Sequence, residues 1–158
     1  METKRVVFIA VLILMAVSAP PHERPEKNAG APVPTVLQKI NGRYLKEVKP
    51  IFAAKCFDCH SASTRYPRYY RLPIARQMID ADIREGREHI DMTLDYPFAG
   101  HHSPEEQLTT IAETVRKNSM PPWDYRLMHR GSRLTPDEAR RIREWVQAGL
   151  RLLSAGGD

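Results

Sequence analysis

The stretch KCFDCH at 55–60 constrains this chain more than any other feature. Its two cysteines, Cys56 and Cys59, are the only two in the sequence, and His60 follows the second directly. The C-x-x-C-H spacing puts two thiols about one backbone turn apart, where they can add to the two vinyl groups of a haem. The adjacent imidazole then lies under the iron as the proximal ligand. We therefore predict one covalent c-type haem, with Cys56 and Cys59 in the thioether bonds and His60 on the iron.

Three other uses of a cysteine pair compete with this interpretation. A structural zinc site takes four ligands, usually as two pairs, and neither a second cysteine pair nor a following H-x3-5-H is present. A thioredoxin-like pair expects a βαβ setting, and no strand pattern is seen. A disulfide across two intervening residues closes a loop too small to add much stability. A redox dithiol and a disulfide remain the alternatives to haem.

The N-terminus is predicted to be a targeting segment. Lys4 and Arg5 precede the apolar run VVFIAVLILMAV at 6–17, and the small residues Ser18 and Ala19 suit signal cleavage. We expect 1–19 to be a signal peptide. The alternative is an uncleaved membrane anchor, although residues 6–19 would span about 21 Å as a helix against a hydrocarbon core of about 30 Å. Both place the rest of the chain in the periplasm or another extracytoplasmic space.

The remaining chain is predicted to be a tether followed by one domain. Residues 20–34 hold five prolines and no apolar period, which is typical of an extended, Pro-rich tether. The haem-binding domain is predicted at 35–158. The net charge of +5 favours contact with acidic surfaces. Because Arg and Lys form no dense cluster and the chain is predicted to be exported, we expect no nucleic-acid partner.

The domain has the pattern of helices joined by long loops. Helices are predicted from Thr35 to about 44, around 50–56 and from Pro73 to about 90, with Pro at the start of the second and third. Ser103 in S-P-E-E and Thr135 in T-P-D-E each begin a further helix, because each hydroxyl is followed three residues later by Glu. Apolar residues recur at helical spacing in the last three. Their predicted inward-facing residues are Ile74, Met78, Ile79 and Ile83; Leu108, Ile111, Ala112 and Val115; Ile142, Trp145, Val146 and Leu150. No alternating strand of useful length appears, so we predict an all-α domain of four or five helices.

The second iron ligand is less constrained. Met120 is the favoured candidate, because it follows the helix predicted to begin near Ser103 and precedes Pro121-Pro122-Trp123. Proline fixes φ and removes a backbone donor, so the thioether can be held in one place. An open sixth position is a further possibility. The other candidates by residue type are Met78, Met92, Met128, His89, His101, His102 and His129.

Five segments together resemble one known family. They are RPEKN at 24–28, CFDCHSASTRYPRYY at 56–70, EGREHID at 85–91, SMPPWDYRLMH at 119–129 and LTPDEARRIREWV at 134–146. In this order they resemble the haem-binding-domain family of exported bacterial monohaem c-type cytochromes, which is related in layout to the class I cytochromes c. The resemblance implies a cytochrome c-like helical bundle around one covalent haem. It also implies Met120, in the M-P motif, as the sixth ligand. D-Y-P-F at 95–98 departs from the family, whose members often carry a Trp there, and this affects a packing contact.

Further haem contacts are predicted from the chemistry that a haem requires. The ring of His60 needs a hydrogen-bond acceptor to fix its orientation, and Pro73, in a proline-bearing loop, is the candidate source. Arg65, Tyr66 and Tyr69 are candidates for the haem propionates, through charged or phenolic hydrogen bonds.

These predictions favour an electron carrier. One haem with both axial positions filled has no free iron site for a substrate, so its partners would be other redox proteins. The alternative is a haem enzyme or gas sensor with an open or exchangeable sixth site. In that case His101, His102 or Arg116 would be candidate acid–base groups. A third possibility is a relay subunit of a respiratory complex, anchored through residues 6–19.

Overall fold

The computed structural model describes residues 35–155, and within this range the chain is helical with no sheet. The predicted export segment and tether, at 1–34, lie outside the described residues. Asp91 and Ala99 form one isolated antiparallel bridge. The α-helices are α1 (Thr35–Arg43), α2 (Lys49–Lys55), α3 (Phe57–His60), α4 (Pro73–His89), α5 (Pro104–Lys117), α6 (Trp123–Met128) and α7 (Pro136–Ala155). A π-helical segment, Tyr44–Val48, joins α1 to α2, and a 3₁₀ helix, Arg68–Arg71, precedes α4. The predicted all-α class is confirmed.

The core lies where α1 and α5 pack on α7. Trp145 on α7 is fully buried, and its indole N–H donates to the carbonyl of Ile40 on α1 at 3.1 Å. The ring of Tyr44 packs edge-on against Phe52 at 5.9 Å between centroids. Helices α5 and α7 approach closely at Gly149, where an added Cβ would lie 2.7 Å from Leu108 Cδ1. The core therefore depends on a small residue where α7 crosses α5 and on aromatic packing elsewhere.

Two of the helix starts carry the capping boxes that the sequence predicted. The hydroxyl of Ser103 accepts from the Glu106 amide at 3.2 Å, and the Glu106 carboxylate accepts from the Ser103 amide at 2.7 Å. Thr135 and Glu138 make the same reciprocal pair at the start of α7. Because each box satisfies orphan amides of the first turn, both helices begin where the sequence places them.

The segment between α4 and α5 is irregular but buried. Its rings Tyr96 and Phe98 join the core, although no periodicity marks them. Gln107 of α5 holds this segment, because its side chain bonds both the amide and the carbonyl of Phe98, at 3.0 and 2.8 Å. The same amide group also donates to the carbonyl of His102 at 2.9 Å. A buried glutamine thus replaces the backbone pairing that a strand would supply.

Two predictions of burial are wrong. Helix α4 contains no buried residue, and the predicted inner residues Ile74 and Met78 are 75% and 56% exposed. The reason is that α4 packs near its C-terminal end on α3, at Gly86, rather than on the core formed by α1, α5 and α7. Trp123, the first residue of α6, is also 73% exposed.

Within residues 35–155, no helix combines the length and the apolar character needed to cross a membrane.

Candidate functional site

A cavity of about 390 Å³ lies between the C-x-x-C-H motif, α4, α5 and the segment that follows α5. Its volume falls within the range of about 300–1,000 Å³ that is usual for sites of small molecules and cofactors. Apolar side chains form much of its wall: Phe52, Ile90, Met92, Ile111, Val115, Leu134 and Ile142. The site is therefore a largely apolar cavity with a few polar groups.

All three residues of the motif line this cavity. Cys56 ends α2 and begins the single turn of α3, whose amides at Cys59 and His60 donate to the Cys56 carbonyl at 3.2 and 3.0 Å. Burial raises the pKa of the Cys56 thiol to about 12 and that of Cys59 to about 11. Because a redox-active pair needs a low thiol pKa, this environment argues against a redox dithiol.

The ring of His60 is held in one orientation. Its Nδ1–H donates to the carbonyl of Ile90 at 3.0 Å, which leaves Nε2 as the nitrogen that can bind iron. The Met92 amide donates in turn to the His60 carbonyl at 2.6 Å, so residues 90–92 flank the histidine. Pro73 was predicted as the acceptor, and this prediction is wrong: the carbonyl comes from the residue just after α4, whereas Pro73 begins that helix.

Gly86 lets α4 lie directly against the motif. A Cβ at this position would be 3.0 Å from the Cys59 carbonyl oxygen and 3.5 Å from the Cys59 Cβ. Gly86 also lines the cavity, so this contact positions both α4 and the second cysteine. The same helix end supplies the Ile90 carbonyl, because the Ile90 amide closes the last turn on Gly86.

Of the candidates for the sixth ligand, Met120, Met92 and His89 line the cavity. Met92 is buried beside His60, on the same side of the site. Met120 comes from a separate segment and is 44% exposed. The remaining five candidates, Met78, Met128, His101, His102 and His129, are not among the lining residues. Met120 as iron ligand stays a prediction, supported by its place in this wall.

The backbone before Met120 explains how it reaches the cavity. Asn118 caps the C-terminus of α5, and its φ of 50° and ψ of 38° are left-handed. The next amide, of Ser119, donates back to the Thr114 carbonyl at 3.3 Å. A left-handed residue at a helix end turns the chain sharply, and asparagine tolerates it better than most residues do. Pro121 and Pro122 then line the cavity together with Met120.

The predicted propionate ligands lie elsewhere. Arg65 bonds the Asp58 carboxylate through its Nε at 3.2 Å, and Tyr66 is exposed with its ring 4.3 Å from that of Tyr70. Tyr69 donates from its hydroxyl to Nε2 of His129 at 3.2 Å. None of the three lines the cavity.

Sequence reasoning missed a group of polar cavity residues on α3, α4 and α6. Asp58, Asp82 and Glu85 bring three carboxylates to the cavity, and Tyr125 adds a hydroxyl. Burial raises the pKa of Asp82, and the negative charges of Asp124 and Glu85 raise it further. No sequence signal distinguishes these acids from ordinary solvent-facing helix residues.

The residues present fit a c-type haem. Two thiols and one imidazole project from a single turn, and the imidazole is held in the tautomer that metal binding requires. A soft thioether reaches the same apolar cavity from a different segment. Within the described residues, no group of three His, Cys, Asp or Glu side chains is arranged to hold a bare metal ion.

Comparisons with known proteins agree with this fit. The model of the haem-binding domain family matches residues 11–148. A cytochrome c peroxidase of Escherichia coli strain K12 is 28% identical over 93 residues, which are 58% of this chain and 20% of that protein. The chain thus spans about a fifth of the length of this relative. No solved structure matches the chain. The family match covers most of the sequence and includes the whole cavity-forming region, so the chain belongs to the haem-binding domain family.

Proposed function

We propose that this protein is a c-type cytochrome that carries single electrons outside the cytoplasm, either soluble or anchored through residues 6–19. Cys56 and Cys59 would hold one haem covalently, with His60 and Met120 on its iron. One observation carries the proposal. An oriented imidazole and a thioether from a distant segment line the same apolar cavity.

The haem supplies one-electron chemistry when it is bound, and the chain sets the conditions for that chemistry. The Ile90 carbonyl makes the His60 imidazole a stronger electron donor by accepting its Nδ1–H. The Met120 thioether favours ferrous iron and so raises the reduction potential. The apolar residues of the wall favour a higher potential, because a charged centre is less stable in an apolar environment, whereas the carboxylates of Asp58, Asp82 and Glu85 favour a lower one. With both axial positions filled, the iron would exchange electrons without binding a substrate.

A second candidate is a haem enzyme with an exchangeable sixth position. Two observations favour it: the relative is a cytochrome c peroxidase by name, and Met120 is 44% exposed. His89 and Glu85 line the cavity and would be the acid–base candidates on this reading. They replace His101, His102 and Arg116, which were predicted for that role and are not among the lining residues.

Ferric and ferrous spectra of the protein, matured with covalent haem, separate the two functions. For the carrier we expect a methionine–iron charge-transfer band that Met120→Ala abolishes. Met128→Ala is the matched control, because Met128 is 60% exposed and does not line the cavity. If the band is absent and carbon monoxide binds wild-type ferrous protein readily, the carrier is refuted and the enzyme is favoured.

The attachment is tested on the same material. In the double variant Cys56→Ala, Cys59→Ala, we expect acid–acetone to extract all of the haem. Haem that survives extraction in this variant would contradict the thioether assignment.

A further inference from the structure

Helix α6, directly after the Met120-Pro121-Pro122 segment, is attached to the molecule in an unusual way. It contains no buried residue, and its apolar side chains Trp123, Leu127 and Met128 are 73%, 73% and 60% exposed. Apolar burial, the main force that holds most helices in place, is therefore weak here. Polar contacts must carry much of the attachment, and three residues, Tyr125, Arg126 and His129, make such contacts with other parts of the chain.

The first contact joins α6 to the motif itself. The Tyr125 hydroxyl donates to Asp58 Oδ2 at 3.2 Å, across 67 residues of sequence. Asp58 lies between the two cysteines. Its other oxygen, Oδ1, accepts from the backbone amide of Arg65 at 3.1 Å and from the Arg65 Nε at 3.2 Å. The carboxylate is thus fixed by the loop after the motif and offers its free oxygen to α6.

The second contact holds the C-terminal end of α6. The His129 ring stacks on that of Tyr125, with 3.9 Å between centroids and 16° between planes. Its Nδ1 lies 3.0 Å from the Tyr125 carbonyl, which can only accept, so Nδ1 carries the proton. Nε2 is then an acceptor, and the Tyr69 hydroxyl donates to it at 3.2 Å. The Tyr125–His129 stack is therefore anchored at both rings. The Tyr125 hydroxyl bonds Asp58, and the His129 ring accepts from the Tyr69 hydroxyl.

We propose that the Asp58–Tyr125 hydrogen bond, supported by Tyr69–His129, holds the Met120 segment against the haem-attachment motif and sets how firmly Met120 stays on the iron. Tyr125 and Asp58 are positioning residues, since they act through Met120. The inference rests on the proposed function, because it takes Met120 as the sixth ligand. Burial raises the pKa of Tyr125, and the negative charge of Asp58 adds to this, so the phenol remains a donor throughout the ordinary pH range.

Imidazole titration of the ferric holoprotein tests the proposal. Added imidazole binds only where Met120 has left the iron, so its apparent affinity rises in proportion to the detached fraction. Tyr125→Phe keeps the ring stack and removes the hydroxyl. A hydrogen bond to a carboxylate can change an equilibrium by roughly tenfold, so we expect imidazole to bind up to about tenfold more tightly to this variant. Tyr70→Phe is the matched control, because that hydroxyl donates to Asp80 at 2.8 Å, a phenol–carboxylate pair apart from α6.

A double variant tests whether Asp58 is the partner. The double variant Asp58→Asn, Tyr125→Phe should bind imidazole less tightly than the product of the two single-variant changes in affinity predicts. The reason is that both substitutions weaken the same hydrogen bond. If the effects of the two single substitutions on imidazole affinity multiply in full, Asp58 is not the partner of Tyr125. Hydrogen exchange gives a second readout. The His129 amide, which donates to the Tyr125 carbonyl, should exchange faster in Tyr125→Phe than in Tyr70→Phe.

The failures of the two proposals are distinguishable. If wild-type protein shows the methionine–iron band but Tyr125→Phe and Tyr70→Phe bind imidazole alike, the positioning role is refuted and the carrier stands. A fall in thermal stability without a change in imidazole affinity refutes it equally. If the wild-type band is absent, Met120 is not the ligand and the positioning role is refuted; the carrier is refuted as well if carbon monoxide then binds the ferrous protein readily.

Discussion

The contact between α4 and the C-x-x-C-H motif gives a sharp prediction at Gly86. An added Cβ would lie 3.0 Å from the Cys59 carbonyl oxygen, whereas ordinary contacts begin near 3.4 Å. The obstructing atom belongs to the backbone of the turn that carries both cysteines, so it cannot rotate away as the end of a side chain would. Gly86→Ala must therefore move α4 or the motif by about 0.4 Å.

Two opposing terms set the size of the effect. Overpacking a tight contact costs about 1–3 kcal/mol, while replacing Gly by Ala in a helix stabilises by up to about 1 kcal/mol. Gly42 in α1 isolates the second term, because its added Cβ would meet nothing within 4 Å. We expect Gly42→Ala to stabilise by about 0.5–1 kcal/mol and Gly86→Ala to destabilise by up to about 2 kcal/mol. The difference between the two variants measures the contact itself.

Guanidinium unfolding of both holoproteins, each with its haem attached, gives the two free energies. The midpoint should rise for Gly42→Ala and fall for Gly86→Ala, with unchanged slopes. A Gly86→Ala protein that gains as much stability as Gly42→Ala would refute the close approach of α4 to Cys59.

Two further predictions concern the segment between α4 and α5. Gln107→Ala should destabilise by on the order of 3 kcal/mol, because it removes three hydrogen bonds from buried or half-buried groups at about 1 kcal/mol each. Gln147→Ala, on the exposed face of α7, should have little effect in the same unfolding assay. The backbone amide and hydroxyl of Ser103 lower the pKa of Glu106, so the charged form is the one that stabilises α5. Its contribution is present above the unfolded pKa of about 4.3 and is lost as pH falls through the lower folded value. The stability difference between wild type and Glu106→Gln should therefore disappear in acid, and a difference that grows there would contradict the capping role.

Local chemistry made some features predictable. Ser103 and Thr135 begin helices because the hydroxyl and the Glu three residues later satisfy amides within one turn, and the structure has both capping boxes. The apolar stripe on α7 was likewise predictable, because Ile142, Trp145 and Val146 recur with the helical period. All three are buried.

Other features depended on partners that the sequence does not reveal. The stripe on α4 has the same period as that on α7, yet Met78 is exposed, because nothing in the periodicity says which element will cover it. The segment after Met120, for which the sequence predicted no helix, contains a short one, α6. That helix is held by side chains far away in sequence, which local propensity cannot report.

The site divides in the same way. The sequence alone was enough to predict the attachment chemistry, because Cys56, Cys59 and His60 lie within one turn and their spacing in sequence fixes their relative positions. The tertiary structure decided which carbonyl orients His60, which two methionines line the cavity and which phenol contacts Asp58. These choices join residues 30 or more positions apart, such as His60 with Ile90 and Asp58 with Tyr125. Chain folding sets such distances, because contacts of that range depend on how whole helices pack.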